Sequence, residues 1–329
     1  MPLSNYGVLK GKAVNAKRED NDATPHYQVE IVAQGKHYRI AVNVKSQTAP
    51  SELLFLVNEN FKHPVTGKLP PLPDGLSAIQ SKPGGIALDF IRGNLFNKND
   101  MRPLPANLPG PDNDLSDRLE YYVKRAIREN GAEVYAFGEH WGPEQTKPDK
   151  IFGFKPGNGI HNIHMNQGNV GQFRGDDGVW QDGALLLHFP STSQWVGIFL
   201  AFQSQAWHTD DHTGHTIAEP VVTERMLRIV AALVNPAGVE QGAETVTIIN
   251  ASAKPVDLNG WKLADTQKNK MPLSGTLSPG ETLRIRLSNS MRLDNNGGII
   301  TLLNNNGLKV DGVSYTREQA AREGWSVVF

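Results

Sequence analysis

The chain has 329 residues, a formal net charge of −1 and no cysteine, with 39% hydrophobic and 20% charged residues. That length suits two globular domains, one of roughly 200 to 230 residues and one of roughly 100. The lack of cysteine excludes disulfides, thiolate nucleophiles and cysteine-held zinc, so any metal must be held by His, Asp, Glu, Asn or backbone oxygen. Near-neutrality excludes a global pull toward polyanions and leaves only local clusters of Lys and Arg. The opening Met1 to Lys10 lacks the apolar core of a secretion signal, and no apolar run approaches the ~18 residues of a membrane span. A cytoplasmic protein without a membrane partner is therefore the expectation, with signal-independent export left open.

From Tyr6 to Val44 the chain alternates: Tyr27, Val29 and Ile31 stand against Gln28, Glu30 and Val32, and Tyr38, Ile40 and Val42 continue the rhythm. Because side chains alternate across a strand, two such runs around Gln34-Gly35-Lys36 predict a β-hairpin. Pro64 to Pro111 is crowded with Pro, Gly and Asn, interrupted by the apolar run Ile86 to Ile91, which reads as a buried strand within long loops. Leu115, Leu119, Tyr122, Val123, Ala126 and Ile127 then recur at helical spacing, with Asp114 placed to cap the helix and Asn130-Gly131 to end it. Short β-prone runs follow at Glu133 to Phe137, Ala184 to Phe189 and Val196 to Gln203.

A boundary falls near Pro220 to Arg225. After it come many short strands, from Leu227 to Val234, Glu244 to Asn250, Gly260 to Leu263, Thr282 to Leu287 and Gly298 to Leu303, separated by Gly, Asn and Pro turns. That pattern argues a sandwich. The fold class read from these elements is α+β, mainly β: a mixed β-rich N-terminal domain over residues 1–222, then an immunoglobulin-like β-sandwich over 223–329.

The run Glu244-x-Val246-x-Ile248-x-Asn250, then Gly260-Trp261-x-Leu263-x-Asp265, Leu277-x-Pro279-Gly280 and Gly307 to Tyr315, resembles the lamin-tail pattern. Upstream, Tyr6-Gly-Val-Leu-Lys-Gly-Lys12, Gly159 to Asn169, Gln181-Asp-Gly-Ala184 and Phe202-Gln-Ser-Gln205 are similar to the YukJ-like family of uncharacterised bacterial proteins. The second resemblance spans the whole chain and brings no established chemistry. The first implies an appended sandwich of the kind that accompanies nucleases and other hydrolases in bacteria, with Trp261 buried between its sheets.

Seven of the ten histidines lie between His140 and His215. The segment Gly157 to Asn169 carries His161, His164, Asn166, Gln167 and Asn169, groups able to bind a metal, relay a proton or hold a phosphate. These five are the candidate catalytic residues. Candidate metal ligands are His161, His164, Asp182, His188, His208 and Asp210, whose imidazole and carboxylate donors suit a divalent cation, Mg, Mn or Zn. Asp176, Asp177 and Asp182 are first of all turn formers. Glu139 and His140 stand after a predicted strand, where residues often line a cleft, and Lys124, Arg125, Arg128 and Arg92 are the basic candidates. No nucleophile elbow, phosphate-binding Gly-Lys-Ser loop or Rossmann glycine pattern occurs.

Together these features lead to the expectation of a metal-dependent hydrolase of phosphodiesters, foremost a nuclease of DNA or RNA, its sandwich aiding substrate or partner binding. The alternative is a non-enzymatic binding or scaffold protein using the lamin-tail-like domain as an interaction module. Nucleic acid and a protein partner for the sandwich are the expected partners. Oligomeric state is not legible.

Overall fold

The computed structural model describes residues 6–19, 26–44, 53–79, 85–86, 93–104, 114–161, 183–202, 226–238, 242–288 and 290–329. The N-terminal part contains strands β1 (Tyr6–Arg18), β2 (His26–Ala33), β3 (Lys36–Asn43), β4 (Leu53–Asn58), β5 (Gly75–Ala78) and β6 (Arg102–Pro103). Helix α1 (Leu115–Arg128) follows, and then β7 (Glu133–Glu144), β8 (Gly157–His161), β9 (Gly183–Phe189) and β10 (Gln194–Phe202). The expected hairpin is β2 and β3, joined by Gln34 and Gly35 at φ 49° and 72°. Positive φ at both central residues is what a two-residue hairpin turn requires. The helix begins on Asp114, whose side chain accepts the Asp117 amide at 2.8 Å, and the chain reverses after it through Gly131 at φ 85°. Of the apolar run from Ile86, only Ile86 itself falls within the described residues.

Strand pairing closes a barrel. β1 pairs β2, β2 pairs β3, β3 lies parallel to β8, β8 pairs β7, and β7 returns to β1. β1 is long enough to serve both sides: Tyr6 to Gly11 face β7, and Lys12 to Arg18 face β2. The change of partner falls at Gly11, where an added Cβ would meet the Ile31 side chain at 2.6 Å and the Val32 carbonyl oxygen at 2.8 Å. Counted within the barrel the order is 1-2-3-5-4-1, with a helix between the third and fourth strands. This is the connectivity of the OB-fold, a five-stranded Greek-key barrel.

Alternation then decides what is inside. Tyr27, Val29, Ile31, Ile40, Val42, Val134, Ala136 and Ile160 fill the barrel, and α1 closes one end with Leu115, Leu119, Val123 and Ala126. Strands β9, β10, β4 and β6 extend the sheet beyond β7. Their other face, with Tyr135, Phe137, Leu186 and Phe199, builds a second core under Phe61, Val65, Leu69, Leu95 and Met101.

The C-terminal part contains β11 (Leu227–Leu233), β12 (Thr245–Asn250), β13 (Val256–Asp257), β14 (Lys262–Ala264), β15 (Lys270–Pro272), β16 (Thr276–Leu277), β17 (Thr282–Arg286), β18 (Gly297–Leu303), β19 (Lys309–Thr316), α2 (Arg317–Ala320) and β20 (Val327–Val328). One sheet runs β17-β12-β11-β20 and the other β15-β14-β18-β19, with β13 and β16 as a separate pair. Between them lie Leu227, Ile229, Val246, Ile248, Trp261, Leu263, Ile300, Leu302 and Tyr315. This is the expected immunoglobulin-like sandwich, and Trp261 is buried in its core at 6% exposure.

Asn94 couples the two parts. It sits in the left-handed region at φ 50°, and its amide donates to the Ile300 and Val313 carbonyls and the Thr301 hydroxyl at 3.0 to 3.2 Å. It rests against Gly312, where no Cβ fits.

Candidate functional site

The outward positions of β2, β3 and β8 carry polar side chains. Register brings His26 opposite Asn43, Gln28 opposite Ala41, Glu30 opposite Arg39, and His161 beside Ala41 on the other flank of β3. His26 and His161 meet across this face: their Nε2 atoms are 2.9 Å apart and their rings are tilted at 58°. Behind His26 stands Glu19, with Oε2 3.5 Å from His26 Nδ1, and both side chains are largely buried, at 18% and 13% exposure. Burial, the largest influence, holds His26 below the usual histidine range; Glu19 opposes it, and Lys150 and Arg39 reinforce it.

The pair ends a chain of side-chain hydrogen bonds. Gln28 donates to Glu19 at 2.7 Å, Arg39 donates to Gln28 at 2.8 Å, and Arg39 Nε donates to Asp149 at 2.6 Å. Asp149 belongs to the β7–β8 loop, where its Oδ1 accepts the amides of Ile151 and Phe152 at 3.0 and 2.9 Å. One buried carboxylate thus folds the loop and fastens it to the barrel. The Trp141 ring lies beside the Arg39 guanidinium at 4.7 Å and across Gly159, where an added Cβ would overlap the Arg39 carbonyl oxygen. Glu139 pairs with His161 across β7 and β8, and its Oε2 is buried without a hydrogen-bond partner among the described residues.

The sequence-predicted residues divide as follows. His161 is at the centre of this face. His164, Asn166, Gln167, Asn169, Asp182, His208 and Asp210 lie outside the described residues, as do Asp176, Asp177 and Arg92. His188, expected to converge with His161, does not: it pairs with Glu133 on β7, whereas His161 pairs with Glu139. Six residues of extended strand separate those positions by roughly 20 Å, so the two imidazoles cannot share one ion. His188 instead stacks on Trp195 at 4.4 Å and lies 3.6 Å from Glu133. On the helix, Lys124 pairs with Glu120, and Arg125 pairs with Glu129 while its guanidinium lies over Phe189. These are packing and surface roles. His140 bonds Asn158 at 3.0 Å.

Sequence reading missed His26, Glu19, Arg39 and Asp149. The available signal was alternation: His26, Gln28 and Glu30 fall on the face opposite Tyr27, Val29 and Ile31. Histidine density drew attention to residues 140–215, while the partner of His161 lies 135 positions upstream. Among the described residues no three His, Asp or Glu side chains converge tightly enough to hold an ion alone, and no helix is long and apolar enough to cross a membrane.

The N-terminal residues 1–214, which include the barrel and its histidine pair, match the family described as "Uncharacterized conserved protein (DUF2278)". The chain belongs to this family. It is 46% identical over 215 residues to the "Uncharacterized protein YukJ" of Bacillus subtilis (strain 168), covering 64% of this chain and 94% of that protein. Residues 223–317 match the Lamin Tail Domain. The family match falls on the barrel part and the Lamin Tail Domain match on the sandwich, so the histidine face belongs to the part that carries the family match.

Proposed function

We propose that the chain is a metal-assisted phosphodiester hydrolase, a nuclease, centred on His26 and His161. The observation that carries this reading is the approach of two imidazole Nε2 atoms to 2.9 Å with a carboxylate behind one ring. Two nitrogens on one tetrahedral ion stand ~3.3 Å apart at metal–nitrogen bonds of about 2.0 to 2.1 Å. A few tenths of an ångström of ring movement would therefore admit the ion where the rings now share a proton. Glu19 on Nδ1 of His26 fits the carboxylate–histidine arrangement that orients a ligand ring. The low proton affinity of His26 keeps its ring neutral, as a ligand requires. Imidazole donors favour zinc and other transition metals over magnesium, and Glu139, the cross-strand neighbour of His161, whose Oε2 has no hydrogen-bond partner among the described residues, offers a further oxygen donor.

A bound ion would supply an activated water and a Lewis acid. The chain's own contribution is electrostatic and positional. Lys150, exposed and near enough to depress His26, supplies a positive charge that suits a phosphodiester, and the Arg39–Asp149 ion pair fixes the loop that carries it.

The test is cleavage of plasmid, linear and single-stranded nucleic acid by the full chain in EDTA or with added Mg, Mn or Zn, beside His26→Ala and His161→Ala. Zn- or Mn-dependent cutting, reduced about 100-fold or more in folded variants, is expected. No cutting with any metal would favour a non-enzymatic binding protein that uses the same face.

A further inference from the structure

We infer that the free edge of β17 in the sandwich is a docking site for an acidic protein segment, which adds to the sheet as an antiparallel strand with carboxylates at alternate positions. β17 is the last strand of its sheet, whose order is β17-β12-β11-β20, and it pairs with β12 alone. The pairing fixes which backbone groups are left over. Asn250 donates to the Glu281 carbonyl and Leu287 donates to the Glu244 carbonyl, each at 3.0 Å, so residues 281, 283, 285 and 287 turn their amides and carbonyls toward β12. Alternation along an antiparallel ladder then points those of Thr282, Arg284 and Arg286 away from the sheet. All three residues are exposed. Unpaired edge groups of this kind are a template for another strand.

Side-chain chemistry selects the strand. Leu283 and Ile285 face the core opposite Ile248 and Val246, so Thr282, Arg284 and Arg286 lie on the outer face of the sheet. Exposed Arg228 adds a third guanidinium to that face, through Ile249, which pairs with both Arg228 and Thr282. Arg284 donates through Nε to the Thr245 hydroxyl at 3.2 Å, and Arg286 donates through Nε to the Gly242 carbonyl. Among the described residues neither forms an ion pair. None of the four strands of this sheet contains Asp or Glu. The acids next to them are engaged elsewhere: Glu244 is buried and accepts the Leu293 amide, and Glu281 accepts the Ser278 amide in the turn before β17.

The same charges exclude a second copy of β17 as the occupant. Laid antiparallel, it would set arginine against arginine, and like charges directly opposite destabilise a pair of strands. A strand with Asp or Glu at every second position instead places a carboxylate opposite each guanidinium, whose planar fork binds it bidentately. Its intervening apolar side chains turn toward half-buried Leu283. The edge from Thr282 to Arg286 spans roughly 17 Å, the reach of one short strand, so the occupant is an extended segment. The site lies on the sandwich, apart from the histidine face, and stands independently of the hydrolase reading.

The experiment is fluorescence anisotropy with the full chain and labelled peptides of about seven residues. One alternates glutamate with valine, one alternates lysine with valine, and one is the first peptide with its glutamate backbone amides methylated. The acidic peptide should bind at least about tenfold tighter than the other two, because charge and main-chain bonds both contribute. Arg284→Glu/Arg286→Glu should weaken it about tenfold or more, and Arg284→Lys/Arg286→Lys should weaken it less. Thr282→Pro removes one outward amide from the edge without touching a bond to β12, and should weaken binding several-fold with the charges intact. An unchanged denaturant midpoint identifies the variants that remain folded. No binding of the acidic peptide, equal binding of its methylated form, or indifference to the arginine reversals or to Thr282→Pro in folded protein overturns the inference. Tighter binding of an oligo(dT) strand than of the acidic peptide at these arginines also overturns it, in favour of a polyanion surface.

Discussion

The barrel and the sandwich are both closed around apolar cores, and both bury polar side chains, yet they use those side chains differently. In the sandwich, buried polar groups serve the backbone. Asp265 accepts the amides of Gln267 and Asn269, Asn250 donates to the carbonyls of Lys254 and Leu277, Glu244 accepts from Leu293, and Asp311 accepts from Ile229. On the barrel face, side chains bond to one another, from Asp149 through Arg39 and Gln28 to Glu19 and, 3.5 Å beyond it, between His26 and His161. Side chain to side chain bonds are a small share of hydrogen bonds in folded proteins, and a run of them on the outer side of the barrel marks polar groups kept for something other than closing turns. By this criterion the buried polar groups of the sandwich are structural, and the barrel face is where we place the proposed chemistry.

Substitutions that should cost similar stability but differ in function sharpen this contrast. Trp261→Ala should destabilise the sandwich by roughly 3 to 5 kcal/mol through loss of a buried aromatic, shifting its denaturant midpoint while leaving metal-dependent cleavage by the barrel within about twofold. Arg39→Ala should cost a comparable ~3 to 5 kcal/mol, because it leaves a carboxylate whose side chain is 1% exposed without its charge partner. Unlike Trp261→Ala, it should also lower the rate of metal-dependent cleavage when both are assayed as folded protein, because it unfastens the β7–β8 loop from the barrel face. A folded Trp261 variant that lost cleavage, or an Arg39 variant that lost none, would break the division between the two regions.

The junction between them gives smaller effects. His63 is buried beside it, donating through Nε2 to the Gly93 carbonyl at 2.7 Å while Nδ1 accepts the Val65 amide. Burial lowers its pKa to about 4, with the Gly93 bond opposing and Lys68 adding to the depression. Since the folded value lies below the unfolded value of about 6.5, the unfolded chain takes up the proton first as pH falls. The native state is therefore at full strength above about pH 6.5 and loses roughly 3 kcal/mol between there and about pH 4. His26, shifted in the same direction, adds its own share. Denaturant midpoints across this range should slope accordingly, and His63→Asn should flatten part of the slope. Asn94→Ala removes three donated bonds into the sandwich and should cost about 1 to 3 kcal/mol. In differential scanning calorimetry it should separate the barrel and sandwich transitions further than in the unmodified chain.

Much of the fold was legible in the sequence because it rests on local rules. The period of Leu115 to Ile127 with Asp114 in front specified the helix, Gln34-Gly35 specified the hairpin, and the short runs after Leu227 specified a sandwich. Barrel closure was not legible. It depends on β7 returning to β1 and on the parallel union of β3 with β8, and hydrophobic period says which face is buried without saying which strand is the neighbour. For the same reason half of the candidate site was missed: His161 stood in a conspicuous polar segment, but the pairings that set His26 against it are non-local. His188 looked equivalent by residue type and proved to belong to a different part of β7.

In the proposed hydrolase His26 and His161 act as a unit, and a double-variant cycle on metal-dependent cleavage tests this most directly. His26→Ala and His161→Ala should each lower the rate about 100-fold or more, and the double variant should lose no more than the worse of the two, as groups of one centre do. Losses that multiply in the double variant, or full activity in either single one, would contradict it.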